Sequence, residues 1–194
     1  MTKLKNEKYY AILQGALRTF AEHGFHKSQV SKIAKAAGVA DGTIYLYFKR
    51  KEDILIALFR EKLGELVAKF RASLDERADP VDSLRKLCEI HYDELEKDVD
   101  FAVVTQLELR QSSLELRREI GASFKPYIVL IEDIVRRGVE SGAFRRDLDV
   151  KLTRLLVFGA MDEVVTSWLI SGRKYSLRAQ AEGTADFFLR GLLA

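Results

Sequence analysis

Breaker residues are scarce in this chain, which holds 2 prolines and 12 glycines among 194 residues. Long stretches therefore run without anything to end a helix. The Val/Ile-rich alternation that strands need is hard to find, whereas Leu, Ala, Glu, Lys and Arg, all good helix formers, dominate. The predicted fold class is all-α. A single cysteine, Cys88, excludes an intrachain disulfide. It reads as a small buried hydrophobe in a reducing compartment, with a reactive or sensing thiol as the alternative. Long hydrophobic runs are missing too: the stretch from Leu155 to Met161 is too short to cross a bilayer and is followed by Asp162 and Glu163. Nothing at the N-terminus resembles a signal peptide. These absences predict a cytoplasmic protein with no membrane partner.

Histidines number 3, and none has the Glu-x-x-His spacing with which helical bundles hold metals. Glu89 and His91 are two apart and point to different helix faces, while His23 and His26 straddle Gly24. No nucleophile motif and no phosphate-cradling glycine loop occurs. Neither a metal, a cofactor nor a catalytic residue is predicted, so a helical-bundle enzyme is a remote alternative.

What is present is a core and a charge asymmetry. Hydrophobic residues make up 47% of the chain, enough to bury a sizeable core. Residues 1–51 hold ten Lys and Arg against three acidic residues (Glu7, Glu22, Asp41), a net +7. The remainder holds 22 basic against 26 acidic residues, a net −4. A basic head on a mildly acidic body suits a polyanion partner at one end, although basic faces are often merely solvated.

Apolar spacing and punctuation predict nine helices. The first runs from about residue 5 to 23, with Tyr9, Ile12, Leu13, Ala16, Leu17 and Phe20 on one face, and stops at Gly24. Ser28 is a natural N-cap for a short helix over 29–37, ended by Gly38. Asp41 can cap another over 42–48, which buries Ile44 and Phe48. Longer helices follow over about 51–74, 80–97, 101–111, 113–142 (bent at Pro126, with Gly138 and Gly142 marking a frayed end), 149–170 and 176–193.

Two short helices joined by a glycine turn, after a longer helix and within a basic segment, form a helix-turn-helix signature. Gly38 serves the sharp turn, Val39 plugs the gap and Ala34 lets the helices approach. Thr43 and Tyr47 lie opposite the buried Ile44 and Phe48, with Tyr45 beside them; hydroxyls and aromatic edges suit phosphate and base contacts. Lys51 can pair with a phosphate. The alternative is a small three-helix fold with no DNA role.

The string Val30-x-x-Ile33-Ala34-x-x-Ala37-Gly38-Val39, then Gly42-Thr43-Ile44-Tyr45-x-Tyr47-Phe48-x-x-Lys51-Glu52, resembles the TetR-family DNA-binding segment. The resemblance implies a homodimer that places two heads in successive major grooves of double-stranded operator DNA, about 34–36 Å apart. It also implies DNA contacts at Gln29, Ser31, Lys32, Thr43, Tyr45, Tyr47 and Lys51. Ala40-Asp41 departs from the Ser-Lys of many relatives and removes Asp41 from that set. Domains are thus expected at 1–51 (DNA binding) and 52–194 (ligand binding and dimerisation).

In the body, the helix over 155–170 is apolar around most of its circumference, and the last helix carries Ala179, Gly183, Phe187 and Gly191 in a four-residue rhythm. A four-helix interface with a second copy explains both; a larger monomer core is the alternative. Arg110, Arg117 and Arg118 cluster near the apolar Phe101, Val104, Leu107, Phe124, Tyr127, Ile128 and Ile131. That pattern suits an amphiphile with a phosphorylated head, or else the arginines pair with Glu108, Glu115 and Glu119 on solvated faces. Here a second resemblance enters. Gln106-Leu107-Glu108-Leu109-Arg110-Gln111-Ser112, Leu114-Glu115-Leu116-Arg117, and Phe158-Gly159 leading to Asp162-Glu163, Val165-Thr166 and Trp168 look like the TetR-type FadR regulators of fatty-acid degradation. That subgroup implies a repressor released from DNA by long-chain acyl-CoA, with arginines on the CoA phosphates and the apolar residues, with Phe158 and Met161, along the acyl chain. A TetR-type repressor answering to a drug or another hydrophobic molecule is the alternative.

Overall fold

The computed structural model describes residues 2–73, 78–108 and 113–194, without the side chains of residues 2–6, 107 and 108. Among the described residues there are nine α-helices and no strand: α1 (Thr2–His23), α2 (Val30–Ala37), α3 (Asp41–Tyr45), α4 (Lys51–Ser73), α5 (Pro80–Lys97), α6 (Val99–Val103), α7 (Leu114–Ser141), α8 (Val150–Ile170) and α9 (Ala181–Leu192). A π-turn, Val104–Glu108, continues α6, and a 3₁₀ turn, Arg178–Gln180, precedes α9.

These helices form two compact units. The first comprises Met1–Lys62 and Val99–Ser123. It takes in the predicted head and adds the start of α4, α6, the π-turn and the start of α7. The apolar stripe of α1 is buried as its spacing predicts, from Ile12 through Phe20, and α1 packs against α2, α6 and the π-turn. It lies hard against α2 at Gly15, where an added Cβ would be 2.7 Å from the Ala37 backbone nitrogen. Ala34, expected where α2 approaches α3, is fully buried.

The second unit comprises Leu63–Asp98 and Phe124–Ala194. Two of its helices begin as predicted: Asp79 Oδ1 accepts from the Val81 N–H at 2.7 Å with Pro80 in the first turn, and Asp149 Oδ1 accepts from Lys151 and Leu152 at 2.9 and 3.0 Å. Each carboxylate satisfies amides that have no partner inside the helix. Cys88 is buried with its Sγ 3.8 Å from Met161 Sδ, and burial pushes its thiol up to about 12.

Several local expectations change. Ser28 does not cap α2; its Oγ donates instead to the carbonyls of Gly24 (2.7 Å) and Thr19 (3.1 Å), and the extended Gln29 occupies the cap position without a side-chain bond. Asp41 lies inside the first turn of α3, with Ala40 at the cap, and regular helix ends at Tyr45 before a turn through Phe48. Gly138 is no frayed end: it lies inside α7, where the Phe144 ring occupies the space a Cβ would need. Gly142, at φ +78, closes the helix. α7 runs unbroken through Pro126, and the last helix begins five residues later than the spacing suggests, after the 3₁₀ turn.

Candidate functional site

In the first unit, Gly38 (φ +67) ends α2, and the Val39 N–H returns to the Ala34 carbonyl at 3.0 Å. The chain can then re-enter α3 within three residues, because a positive φ reverses direction at little cost to glycine. Ile44 and Phe48 go inward, and Phe48 stacks on Tyr9 with centroids 5.6 Å apart. Tyr9 is fixed in turn: its hydroxyl donates to Glu61 Oε1 at 3.1 Å and accepts from Arg60 at 3.0 Å. Anchoring one side of α3 leaves the other outward. Tyr45 is 60% exposed and Leu46 79% exposed, Thr43 and Tyr47 are half-buried, and Gly42 faces open space. Gln29, Ser31 and Lys32 are exposed at the start of α2, as are Lys27, Lys35 and Lys49. Those three lysines were not singled out from the sequence; the basic excess of the segment was the available signal.

Lys51 is placed differently from the other candidates. Its Nζ donates to the carbonyls of Phe25 (2.6 Å), Ser28 (3.1 Å) and His26 (3.2 Å), and lies 4.5 Å from the centre of the Phe25 ring. Burial pulls its ammonium below the usual lysine range, partly offset by Glu52. The three donors of the ammonium are directed at the loop between α1 and α2. Asp53 Oδ2 accepts from the Lys49 and Arg50 N–H groups at 3.1 Å, capping α4, and Arg50 pairs with both Asp53 and Glu119. Glu119 thereby joins α7 to the turn after α3.

The effector candidates divide between the units. In the first, Phe101 and Val104 are buried and the Phe101 ring lies 5.8 Å from that of Phe59, while Arg117 and Arg118 are exposed on α7. Arg110 and the Leu107 side chain lie outside the described residues. In the second, Tyr127, Ile131 and Met161 are buried, and Phe124, Ile128 and Phe158 are half-buried. Phe158 lies 6.2 Å from both Phe124 and Tyr127, linking three aromatic rings. Trp168 is core, its Nε1 donating to the Tyr175 carbonyl at 2.9 Å.

α8 and α9 carry an outward apolar face. Leu152, Leu155 and Leu156 are exposed, as are Gly183, Gly191 and Phe187, the last at 74%. A groove of about 750 Å³ runs between the helices, lined by Leu156, Val157, Ala160, Phe187 and Phe188 among others. Among the described residues no group of His, Cys, Asp and Glu is arranged to hold a metal ion, and no described helix is long and apolar enough to cross a membrane.

The family of bacterial regulatory proteins called tetR matches residues 12–58, and the C-terminal region of the YsiA-like protein matches residues 59–191. The fatty acid metabolism regulator protein of Bacillus subtilis is 45% identical over 190 residues, 98% of each chain. The fatty acid degradation regulator FadR of Bacillus halodurans has a TM-score of 0.91 at 48% identity, over 95% of each chain. FadR of Bacillus subtilis in complex with stearoyl-CoA also scores 0.91, at 45% identity, over 94% of this chain and 98% of its own.

Proposed function

Because the chain belongs to the TetR family of bacterial regulatory proteins, we propose that it is a homodimeric, cytoplasmic repressor that long-chain acyl-CoA releases from the operators of fatty-acid degradation genes. The observation that carries the effector is the likeness to a stearoyl-CoA complex along 94% of the chain. No catalysis and no cofactor form part of this reading.

The DNA and dimer parts of the reading rest on surfaces already described. DNA is read by α2 and α3. Tyr45, Tyr47 and Thr43 take base edges or phosphates, and Gln29, Ser31 and Lys32 take the flanking backbone, with Lys27 and Lys49 adding charge. Lys51 serves this face by holding the loop ahead of α2. The partner that covers the apolar face of α8 and α9 is a second copy, since Gly183 and Gly191 on either side of the exposed Phe187 let symmetric helices pack closely. The head is therefore residues 1–51 and the ligand-binding and dimerisation part residues 52–194.

The acyl chain is assigned Phe124, Tyr127, Ile128, Ile131, Phe158 and Met161 in the second unit. The CoA phosphates are assigned Arg110, Arg117 and Arg118. Each buried methylene contributes about 0.8 kcal/mol, so chain length is selected steeply. Residues Val99–Ser123 share a compact unit with α1 to α3. Effector contacts made by this segment thus act on the unit that carries the reading face, through α6 and the π-turn on α1 and through Glu119 on Arg50. Release follows if the effector prefers a conformation that fits DNA poorly.

The test is binding to a duplex selected by the protein from random sequences, with hexadecanoyl-CoA, hexadecanoate or CoA added. Release by hexadecanoyl-CoA alone supports the reading; equal release by all three overturns it. A drug-type effector would be indifferent to Arg110→Ala, whereas a CoA ligand loses affinity.

A further inference from the structure

One polar atom in the interior of the second unit is left without a partner. His91, on α5, is 6% exposed. Its Nδ1 lies 2.9 Å from the Tyr127 hydroxyl, and the two rings stack at 16°. Its Nε2 is buried and has no hydrogen-bond partner. Buried polar groups are paired in the great majority of cases, so such an orphan calls for a reason.

The tautomer decides what the orphan wants. Burial pushes the imidazole down to about 4, against the pull of Asp162, and holds the Tyr127 hydroxyl well above its usual range. Both groups are neutral near pH 7, so the ring carries one proton. With that proton on Nδ1, the Tyr127 O–H would have no acceptor and Nε2 would be unpaired as well. With Tyr127 donating to Nδ1, a single group is left over, the Nε2–H, and the cost is smaller. The orphan is therefore a donor.

A donor in this setting selects its acceptor. The rings around it are those of Tyr127, Tyr92 and, beyond Tyr127, Phe158, and the Asp162 carboxylate is close enough to act on its charge while Nε2 makes no bond. A carbonyl oxygen on an otherwise apolar chain is satisfied by one donor. Resting on the acyl-CoA reading above, we propose that His91 Nε2–H donates to the thioester carbonyl of the bound acyl chain, with Tyr127 as the positioning residue that fixes the tautomer. This contact sets where the chain stops sliding along its apolar walls. The sequence reading treated His91 as having no role, and Tyr127 as plain lining.

The test compares hexadecanoyl-CoA with S-hexadecyl-CoA, a thioether that replaces the carbonyl by a methylene, by calorimetric titration of the full-length protein. The wild type should bind the thioester about tenfold tighter, and His91→Phe should bring the ratio to about one. Tyr127→Phe, which frees Nδ1 to take the proton, should lower the ratio while both compounds still bind. Equal binding of the two compounds by the wild type overturns the inference and leaves the acyl-CoA reading standing. So does a ratio unchanged by His91→Phe. Failure of both compounds to bind overturns the acyl-CoA reading and the inference with it. If His91→Phe does not fold, the wild-type ratio and Tyr127→Phe still decide.

Discussion

Lys51→Met separates two roles that a lysine beside a DNA-reading helix can have. Methionine keeps most of the apolar stem and deletes the ammonium. In the structure that ammonium serves three carbonyls at 2.6, 3.1 and 3.2 Å and faces the Phe25 ring at 4.5 Å. A hydrogen bond to a charged group contributes roughly 1.5–3 kcal/mol, but the site is only half-buried and water can reach part of it. The net loss should be about 2 kcal/mol, which for a chain of this size lowers Tm by roughly 4–8 °C. DNA affinity should fall on every sequence alike, because the loop ahead of α2 is no longer held. The slope of log K against log salt should be unchanged, since no phosphate contact is lost. If Lys51 instead neutralised a phosphate, a dimer would lose about 1.8 from that slope and Tm would hardly move. That second pattern would refute the assignment of Lys51 to the loop.

Three further outcomes are expected. Gly15→Ala should lower Tm by an amount corresponding to roughly 1–3 kcal/mol, although the same change at an open helix position stabilises, because the new Cβ meets the Ala37 backbone at 2.7 Å; a Tm rise would disprove the close contact. Phe187→Glu should leave helicity intact by circular dichroism while raising the dimer dissociation constant about a hundredfold in sedimentation, since it puts a charge on the apolar face of α9; an unchanged sedimentation profile would rule out that face as the dimer contact. His91 titrates at about 4 when folded and near 6.5 when unfolded, so the unfolded chain binds more protons between those values. Its contribution to stability is lost as pH falls through that window, about 2 kcal/mol between pH 7.5 and 5. Urea unfolding should show this loss in the wild type beyond that in His91→Phe, and equal losses would contradict the burial of a neutral ring.

Where apolar periodicity and chain punctuation determine structure, the sequence was legible. The stripe of α1, the Gly38 turn and the helix starts near residues 80 and 149 all stand as read. What failed involves competition between partners. Ser28 and Asp41 are good caps by type, yet the Ser28 hydroxyl finds the carbonyls of Thr19 and Gly24, a choice made by tertiary proximity. The π-turn over Val104–Glu108 keeps the same apolar residues as an α-helix and differs only in which carbonyl each amide reaches. Gly138 near a helix end reads as fraying, but the cause is the ring of Phe144, which nothing local reveals. The orphaned Nε2 of His91 and the pairing of Arg50 with Glu119 depend on residues brought from distant points of the chain.

The interruption of the first unit bears on how the polypeptide matures. Residues 63–98 are synthesised before α6 and the π-turn exist, yet those elements cover part of α1, and Phe101 completes the surroundings of Phe59. A nascent chain ending near residue 62 therefore has its helix-turn-helix spelled out but exposes apolar surface on its first helix. The first unit can close only once residue 123 has been made. Isolated N-terminal fragments should accordingly be stickier and less stable than their sequence alone would suggest.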